Sequence, residues 1–205
     1  MMAKRTYSME RRAAVEAETR ERIVRATVAL HAQHGALATT YQMIAKRAQV
    51  APQTVYNHFP KDDALIGACT GHVNGRAPPL NTATIRAGRS PAARLMLLAQ
   101  AVYARHMYMA PWLRWHEAAL IPALGAIVAQ GDDELRALIA ATVTPDHEAT
   151  ADFVDAAFVL LDYPAWQALT RRRTSSEAAR VAGECLADLL PRLTPTKPPR
   201  RRKQP

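Results

Sequence analysis

The sequence has few of the features that mark secreted, membrane-spanning or metal-binding proteins. Its 205 residues include only two cysteines, Cys69 and Cys185, far apart in the chain. They form neither a disulfide framework nor the ligand spacing of a zinc site. We expect both to be small buried apolar residues, with thiol sensing as the alternative. Because no apolar run approaches the roughly 20 residues that a membrane span needs, we expect no membrane partner.

Patterns that would indicate an enzyme are also missing. The chain has no glycine-rich phosphate loop, no G-x-S-x-G turn and no carboxylate pair whose placement suggests catalysis. His106, His116 and His147 do not follow the spacing of a recognised metal site. The basic N-terminal segment lacks the apolar stretch of a signal peptide. We therefore expect a cytoplasmic protein that is not an enzyme and that holds neither cofactor nor metal.

Positive charge, in contrast, is plentiful and is concentrated at the two ends of the chain. The formal net charge is +9. Residues 1–61 hold ten lysines and arginines against four acids, and residues 62–196 hold twelve arginines against fourteen acids. Five more basic residues follow in 197–203. The basic N-terminal quarter favours a polyanionic partner at that end, although a basic face is often only a solvated surface.

Helical periodicity dominates, and no convincing run alternates between apolar and polar residues as a strand would. The first helix is predicted over 11–34, with one face formed by Ile23, Ala26, Thr27, Leu30 and His34. Residues 74–90 are expected to form a loop, because they are rich in glycine, proline and polar side chains. Further helices are predicted near 40–47, from 52, from 61–63, over 91–109, from 112, and over 132–142, 146–171 and 175–191.

Capping and breaking residues support several of these boundaries. Thr39 with Gln42 fits the capping box of a helix start. Pro164 is expected to kink the long helix that contains it. Ser175 or Ser176 is a suitable cap for the last helix.

Residues 40–59 form the most informative segment of the chain. They are typical of two short helices joined by a tight turn, the second starting at Pro52 in the favoured first position. Ala45, Val50 and Val55 are placed to pack the two helices together. This is the plan of a helix-turn-helix, whose second helix enters the major groove of DNA.

The segment resembles the DNA-binding domain of the tetracycline-repressor (TetR) family. The matching residues are Thr39-Thr40, Ile44-Ala45, Ala48-x-Val50, Thr54-Val55-Tyr56-x-His58-Phe59 and Ala64-Leu65. The rest of the chain matches only in length and in its helical plan. The resemblance implies an all-α fold: an N-terminal three-helix DNA-binding domain with a helix-turn-helix, then a C-terminal helical domain for ligand binding and dimerisation.

On this resemblance the chain divides into four parts. Residues 1–17 form a basic N-terminal arm and the start of the first helix, and 18–65 form the helix-turn-helix domain. Residues 66–193 form the helical ligand-binding and dimerisation domain, and 194–205 a disordered basic tail. The arm could contact the DNA backbone or a minor groove, or be a solvated end. The tail could add nonspecific DNA affinity.

The resemblance also implies roles for individual residues. Thr40 and Tyr56 match residues that contact DNA phosphates, and Tyr41 could act with them or with the base-reading group. Glutamine and asparagine can pair with adenine, although Gln42 and Gln53 could also be exposed residues without a base contact. The implied DNA-binding residues are Thr40, Tyr41, Gln42, Pro52, Gln53, Thr54, Tyr56, Asn57 and Lys61.

Three departures from the family pattern concern the same region. Gln49 stands where the family usually has glycine, at a turn position that commonly needs a positive φ. Ala51 replaces the usual serine-like cap of the recognition helix. Asp62 falls on the position of a phosphate-binding lysine and would repel DNA, so we expect Lys61 to take that role.

In the C-terminal domain the resemblance implies a dimer interface and a ligand pocket. The last two long helices are expected to pair with their counterparts through Ala157, Leu161, Val181 and Leu186. Arg105, Glu117 and Asp162 are possible polar anchors in the pocket. Its expected lining is Tyr103, Met107, Trp112, Trp115, His116, Phe158, Asp162 and Trp166, although each of these could be a core residue instead.

The function implied is that of a repressor. As a homodimer it would bind a palindromic operator in double-stranded DNA and be released by a small, largely apolar effector. Two alternatives stay open. The chain could be a TetR-like regulator without a small-molecule effector, or it could act as an activator, because DNA binding does not decide the direction of regulation.

Overall fold

The computed structural model describes residues 2–113, 115–144 and 146–194, with the side chains of 2–8, 115 and 116 left out. The regular secondary structure of this part of the chain consists of helices, which confirms the predicted all-α class. No helix within it is long and apolar enough to cross a bilayer. In chain order the helices are α1 (Met2–His34), α2 (Tyr41–Ala48), α3 (Pro52–His58), α4 (Asp62–Asn74), α5 (Thr82–Arg86), α6 (Pro91–Met109), α7 (Trp115–Leu120), α8 (Pro122–Val143), α9 (Ala151–Leu161), α10 (Tyr163–Thr170) and α11 (Ser175–Leu189).

By its internal contacts the chain divides into two compact units, and neither is one continuous segment. The first unit consists of Met1–Arg76 and Pro111–Val128, and the second of Ala77–Ala110 and Ala129–Pro205. The four parts inferred from the sequence were assigned by their expected roles, and those roles stay predictions. By packing, α4 belongs with the helix-turn-helix, and so does the later segment that contains α7.

The first unit has its own core, formed where α1 and α4 meet the helix-turn-helix. Ala45 and Val55 are buried in it and Val50 packs against it, as predicted from the sequence. The expected face of α1 is buried except for His34, which is exposed because it lies at the end of the helix. The buried core residues are Ile23, Val24, Ala26, Leu30, Ile44, Ala45, Ala48, Val55, Phe59, Leu65 and Cys69.

The core of the second unit lies between α6 and α11, with α8 and α9 beside them. Leu95, Leu98 and Tyr103 of α6 are fully buried. A Cβ atom at Gly183 of α11 would lie 2.6 Å from the sulfur of Met96, so glycine allows the two helices to approach closely. Burial of these apolar faces is the main stabilising contribution to the unit.

Three N-terminal boundaries differ from those predicted. Helix α1 begins at Met2 rather than at residue 11, so the predicted basic arm is part of the helix from Met2 onward. The cap of α2 is Thr40, whose side chain accepts from the Met43 amide, whereas the Thr39 hydroxyl donates to the Gly35 carbonyl. The expected loop over 74–90 contains helix α5, whose start is capped by Asn81.

Three boundaries in the C-terminal half also differ from those predicted. Helix α8 begins at Pro122, ten residues before its expected start. The predicted helix over 146–171 is two helices, because Pro164 cannot continue the first and Asp162 accepts the Tyr163 amide to start the second. The last helix is capped by Thr174 with Glu177 in a capping box, rather than by Ser175 or Ser176.

Candidate nucleic-acid interface

The turn between α2 and α3 depends on the backbone at Gln49. This residue closes α2 in the left-handed region, with φ 55° and ψ 50°, and is the single residue other than glycine with a positive φ in the part of the chain that the structure describes. Its amide donates to the carbonyls of Ala45 and Lys46. The positive φ expected at this position is confirmed, and glutamine holds it with steric strain that glycine would not have.

Gln49→Gly is expected to raise the free energy of unfolding by up to about 1 kcal/mol, because glycine reaches this conformation without a Cβ clash. Thermal denaturation should show a rise in Tm of up to about 4 °C. The matched control is Gln100→Gly at an exposed position within α6, where glycine should lower stability by about 1 kcal/mol. Equal losses in both variants would contradict strain at Gln49.

The polar residues expected to read bases lie on the exposed side of the motif. Gln42, Gln53 and Asn57 are all exposed, and Gln53 and Asn57 are one turn apart on α3. The Gln53 side-chain amide donates to Asn57 Oδ1 over 3.0 Å. This bond leaves the carbonyl of Gln53 and the amide group of Asn57 available for donor and acceptor groups on a base edge.

The start of α3 differs from its middle in exposure. Pro52 is exposed at the first position of the helix, and Ala51 precedes it without a side-chain cap, as the sequence suggested. Thr54 is half-buried, and Val55 is completely buried against the platform. The exposed residues of α3 are therefore Pro52, Gln53, Tyr56 and Asn57.

The three hydroxyl residues expected at phosphates have different surroundings. Thr40 is exposed and its oxygen caps α2. Tyr56 is 51% exposed, and its ring centroid lies 4.5 Å from that of Tyr41. The hydroxyl of Tyr41 donates to the Phe59 carbonyl over 3.0 Å. Burial and the nearby Asp62 carboxylate raise the pKa of Tyr41, so its hydroxyl stays protonated and holds the end of α3.

Exposed basic side chains also lie in α2 and just after α3. Lys61 is exposed at the N-cap of α4, and Asp62, the residue expected to repel phosphate, is exposed beside it. Lys46 and Arg47 are exposed in the last turn of α2, and the sequence reasoning did not single them out. Two adjacent basic residues on the outward side of a short helix were the signal that could have identified them.

The basic arm and tail are described only in part. Arg11 and Arg12 are exposed on α1, whereas the side chains of Lys4 and Arg5 lie outside the described residues. Residues 195–205 of the predicted tail also lie outside the described residues.

The expected pocket residues fall in different surroundings. Trp112 belongs to the first unit, where its indole Nε1 donates to the Val28 carbonyl. Met107 is 58% exposed and Phe158 is covered by the Arg136 guanidinium, 3.8 Å from the ring centroid. Asp162 caps α10. The side chains of Trp115 and His116 lie outside the described residues.

Tyr103 and Trp166 do come together, around a histidine that the sequence reasoning did not place there. The His106 ring centroid lies 6.0 Å from that of Tyr103, 5.6 Å from that of Tyr163 and 6.2 Å from that of Trp166. His106 Nε2 is 2.8 Å from the Leu161 carbonyl oxygen. Burial lowers the pKa of His106, which favours the neutral imidazole.

The two cysteines differ in exposure. Cys69 lies in the first core, and burial raises the pKa of its thiol to about 12, which leaves it unreactive. Cys185 is exposed on α11, contrary to the expectation that both are buried. Among the described residues, no three His, Cys, Asp or Glu side chains are grouped as metal ligands would be.

Several solved structures have the same fold, and some of them are described as transcriptional regulators. A TetR-like transcriptional regulator from Rhodococcus sp. RHA1 is 18% identical with a TM-score of 0.65, covering 84% of this chain and 96% of its own. A TetR transcription regulator from Haloarcula marismortui is 18% identical with a TM-score of 0.62, covering 87% and 100%. The multidrug binding protein EbrR, solved with imidazole, is 21% identical with a TM-score of 0.58, covering 89% and 98%. At such identities these likenesses show the fold alone.

The sequence comparison is more specific for the N-terminal region. No curated protein matches the chain in sequence. Residues 23–69 match the model of the bacterial regulatory proteins of the tetR family, and this range contains the whole helix-turn-helix. Members of this family are transcription factors and not enzymes. Residues 23–69 therefore form a DNA-binding domain of the tetR family, the domain of a transcriptional regulator.

Proposed function

We propose that this regulator is a cytoplasmic repressor that binds a palindromic operator as a homodimer and is released when a small, largely apolar compound binds its helical domain. For DNA recognition, this proposal rests on the exposed side-chain amides of Gln53 and Asn57, which are paired on α3. A hydrogen bond between the two side chains reduces their freedom before DNA binds, which lowers the entropy lost on contact.

The ligand part rests on the aromatic cluster of the second unit. Tyr163 and Trp166 are stacked with ring centroids 5.2 Å apart, and the Trp166 indole donates to Ser175 Oγ over 3.0 Å. Flat aromatic surfaces with a few polar groups suit an apolar or aromatic compound. EbrR, which has the same fold, is described as a multidrug binding protein. We place the effector against the half-buried Trp166, and expect the completely buried Tyr103 to support the site from the core.

The dimer part follows from how such motifs read DNA. Two copies of α3 related by a two-fold axis can reach successive major grooves, whereas a single short helix contacts few base pairs. Ala157, Leu161 and Leu186 are each 0% exposed and belong to the core of one chain, so in this conformation they offer no surface to a partner. Val181 is half-buried, and the side of α9 that remains exposed includes Ala156 and Val159.

Val159→Glu is expected to convert the homodimer to monomers, because it places a charge on an apolar side chain that is 65% exposed in the single chain. Light scattering after gel filtration measures the mass. Val15→Glu is the matched control, since Val15 is 57% exposed on α1. A Val159→Glu protein that remains dimeric would show that the interface does not include this side of α9.

Two alternatives make different predictions. A regulator without an effector would stay bound to its operator in the presence of every compound tested. Its activity would depend only on its own abundance or on a protein partner. An activator would bind the same operator but would raise transcription from the adjacent promoter. A reporter fused to that promoter separates activation from repression.

The first test is a titration of the protein with labelled DNA from upstream of its own gene, with random DNA as competitor, at two salt concentrations. Selection from a library of random duplexes supplies a binding site if that fragment has none. Saturable binding that survives competition and is released by a small, largely apolar compound supports the proposal. Binding that competitor abolishes and that salt weakens equally on every sequence would show only the nonspecific attraction of basic residues.

A further inference from the structure

The segment Pro111–Val128 is separated in sequence from the helix-turn-helix, but it packs in the same compact unit. It contributes two side chains with hydrogen bonds to that unit. Trp112 Nε1 donates to the Val28 carbonyl of α1 over 2.9 Å. Glu117, in α7, reaches the turn that follows α1.

Glu117 holds this turn through both of its carboxylate oxygens. The Ala36 amide donates to Oε2 over 3.0 Å and the Leu37 amide donates to Oε1 over 3.4 Å. The Glu117 residue is only 4% exposed, so its carboxylate is withdrawn from water and depends on these donors. Hydrogen bonds to a charged acceptor are roughly twice as strong as those between neutral groups.

The turn it holds leads directly into the DNA-reading helices. Gly35 has a positive φ of 87°, and the Thr39 amide donates to the Ala36 carbonyl, so the chain reverses within a few residues. Thr40, which follows, caps α2. Leu37 is 51% exposed and its side chain therefore gives the turn little packing of its own. The position of α2 thus depends on how firmly the amides of residues 36 and 37 are held.

We propose that Glu117 is a positioning residue for DNA binding: its buried carboxylate fixes the turn after α1 and so sets where Thr40 and Gln42 meet the DNA. Trp112 supports the same arrangement by anchoring its segment to α1. The DNA-reading unit is therefore incomplete without a segment that follows it by about forty residues, which the sequence motif does not include. The proposal requires DNA binding, but it does not depend on repression or on an effector.

The test compares Glu117→Ala and Glu117→Gln with the wild type in the full-length chain. The probes are the duplex obtained by selection and a random duplex of equal length. Glu117→Ala should bind the selected duplex about tenfold more weakly, equivalent to about 1.4 kcal/mol, with little change on the random duplex. The ratio of the two affinities matters because a partly unfolded sample would lose both equally. Glu117→Gln keeps one acceptor oxygen and should fall between Glu117→Ala and the wild type.

Hydrogen exchange at the amides of residues 36 and 37 provides the readout without DNA. Both amides should exchange faster in Glu117→Ala than in the wild type, while the amides of α3 keep their protection. Glu134→Ala, which removes an exposed carboxylate from α8, is the matched control and should change neither measurement.

Three results would overturn the proposal. One is unchanged protection of the two amides in Glu117→Ala, which would mean that the carboxylate does not hold them. Another is faster exchange with an unchanged ratio of affinities, which would mean that the turn does not position α2. The third applies if the alanine variant fails to fold. In that case the proposal is overturned if Glu117→Gln matches the wild type in both the ratio of affinities and the exchange of the two amides.

Discussion

Asn57→Ala should lower the affinity for the operator by roughly ten- to a hundredfold, the largest loss expected from a single DNA-facing side chain. A bidentate contact between an amide and adenine is worth about 1–3 kcal/mol of discrimination. Asn57 is exposed on α3 and is paired with Gln53, so the alanine variant loses its own contact and also frees its neighbour. Fluorescence anisotropy with operator and random duplexes measures the change. Only the operator affinity should fall.

The matched control is Lys61→Ala, at an exposed basic residue expected to contact phosphate. It should weaken binding to both duplexes to a similar degree and reduce the dependence of log affinity on log salt by about one unit. Gln53→Ala combined with Asn57→Ala should be less than additive, since the two side chains share a hydrogen bond. An Asn57→Ala protein that loses both affinities equally would mean that Asn57 does not read a base.

Arg94→Ala should lower the free energy of unfolding by about 3 kcal/mol, because it removes a buried cation and leaves its hydrogen-bond partners without a donor. Arg94 is 8% exposed, and its Nε donates to the Thr142 carbonyl over 2.9 Å. Its Nη1 donates to the Gly88 carbonyl over 3.5 Å, and Nη2 pairs with the Asp146 carboxylate. The guanidinium thus links the start of α6 with the end of α8.

Thermal denaturation should show a fall in Tm of about 6–12 °C for Arg94→Ala. Arg180→Ala is the matched control, because Arg180 is 58% exposed and pairs with Glu184 within α11. Such surface pairs contribute about 0.5 kcal/mol or less. If both variants lose the same small amount, the Arg94 contacts do not contribute to stability as the geometry indicates.

Local sequence predicted the structure of the helix-turn-helix well. The turn at Gln49, the start of α3 at Pro52 and the packing of Val55 follow from interactions within about ten residues, which a sequence pattern records directly. The all-α class followed from periodicity in the same way.

Boundaries were less accurate where several residues could cap a helix. Thr174 caps α11 in place of the neighbouring serines because Glu177 completes a reciprocal pair of hydrogen bonds with it. The break between α9 and α10 needed both the restricted backbone of Pro164 and the capping carboxylate of Asp162. Here the outcome depended on side-chain geometry that a residue type alone does not specify.

The sequence by itself determined the helical class, the helix-turn-helix and the amide residues of α3, because these depend on short-range spacing. Only the tertiary structure decided which apolar residues were available at a surface. Ala157, Leu161 and Leu186 have the composition of an interface but are buried in the core of their own chain. It also decided that Glu117 serves the turn after α1, about eighty residues earlier in the chain. Contacts over such distances follow from how whole helices pack, and periodicity within one segment carries no information about them.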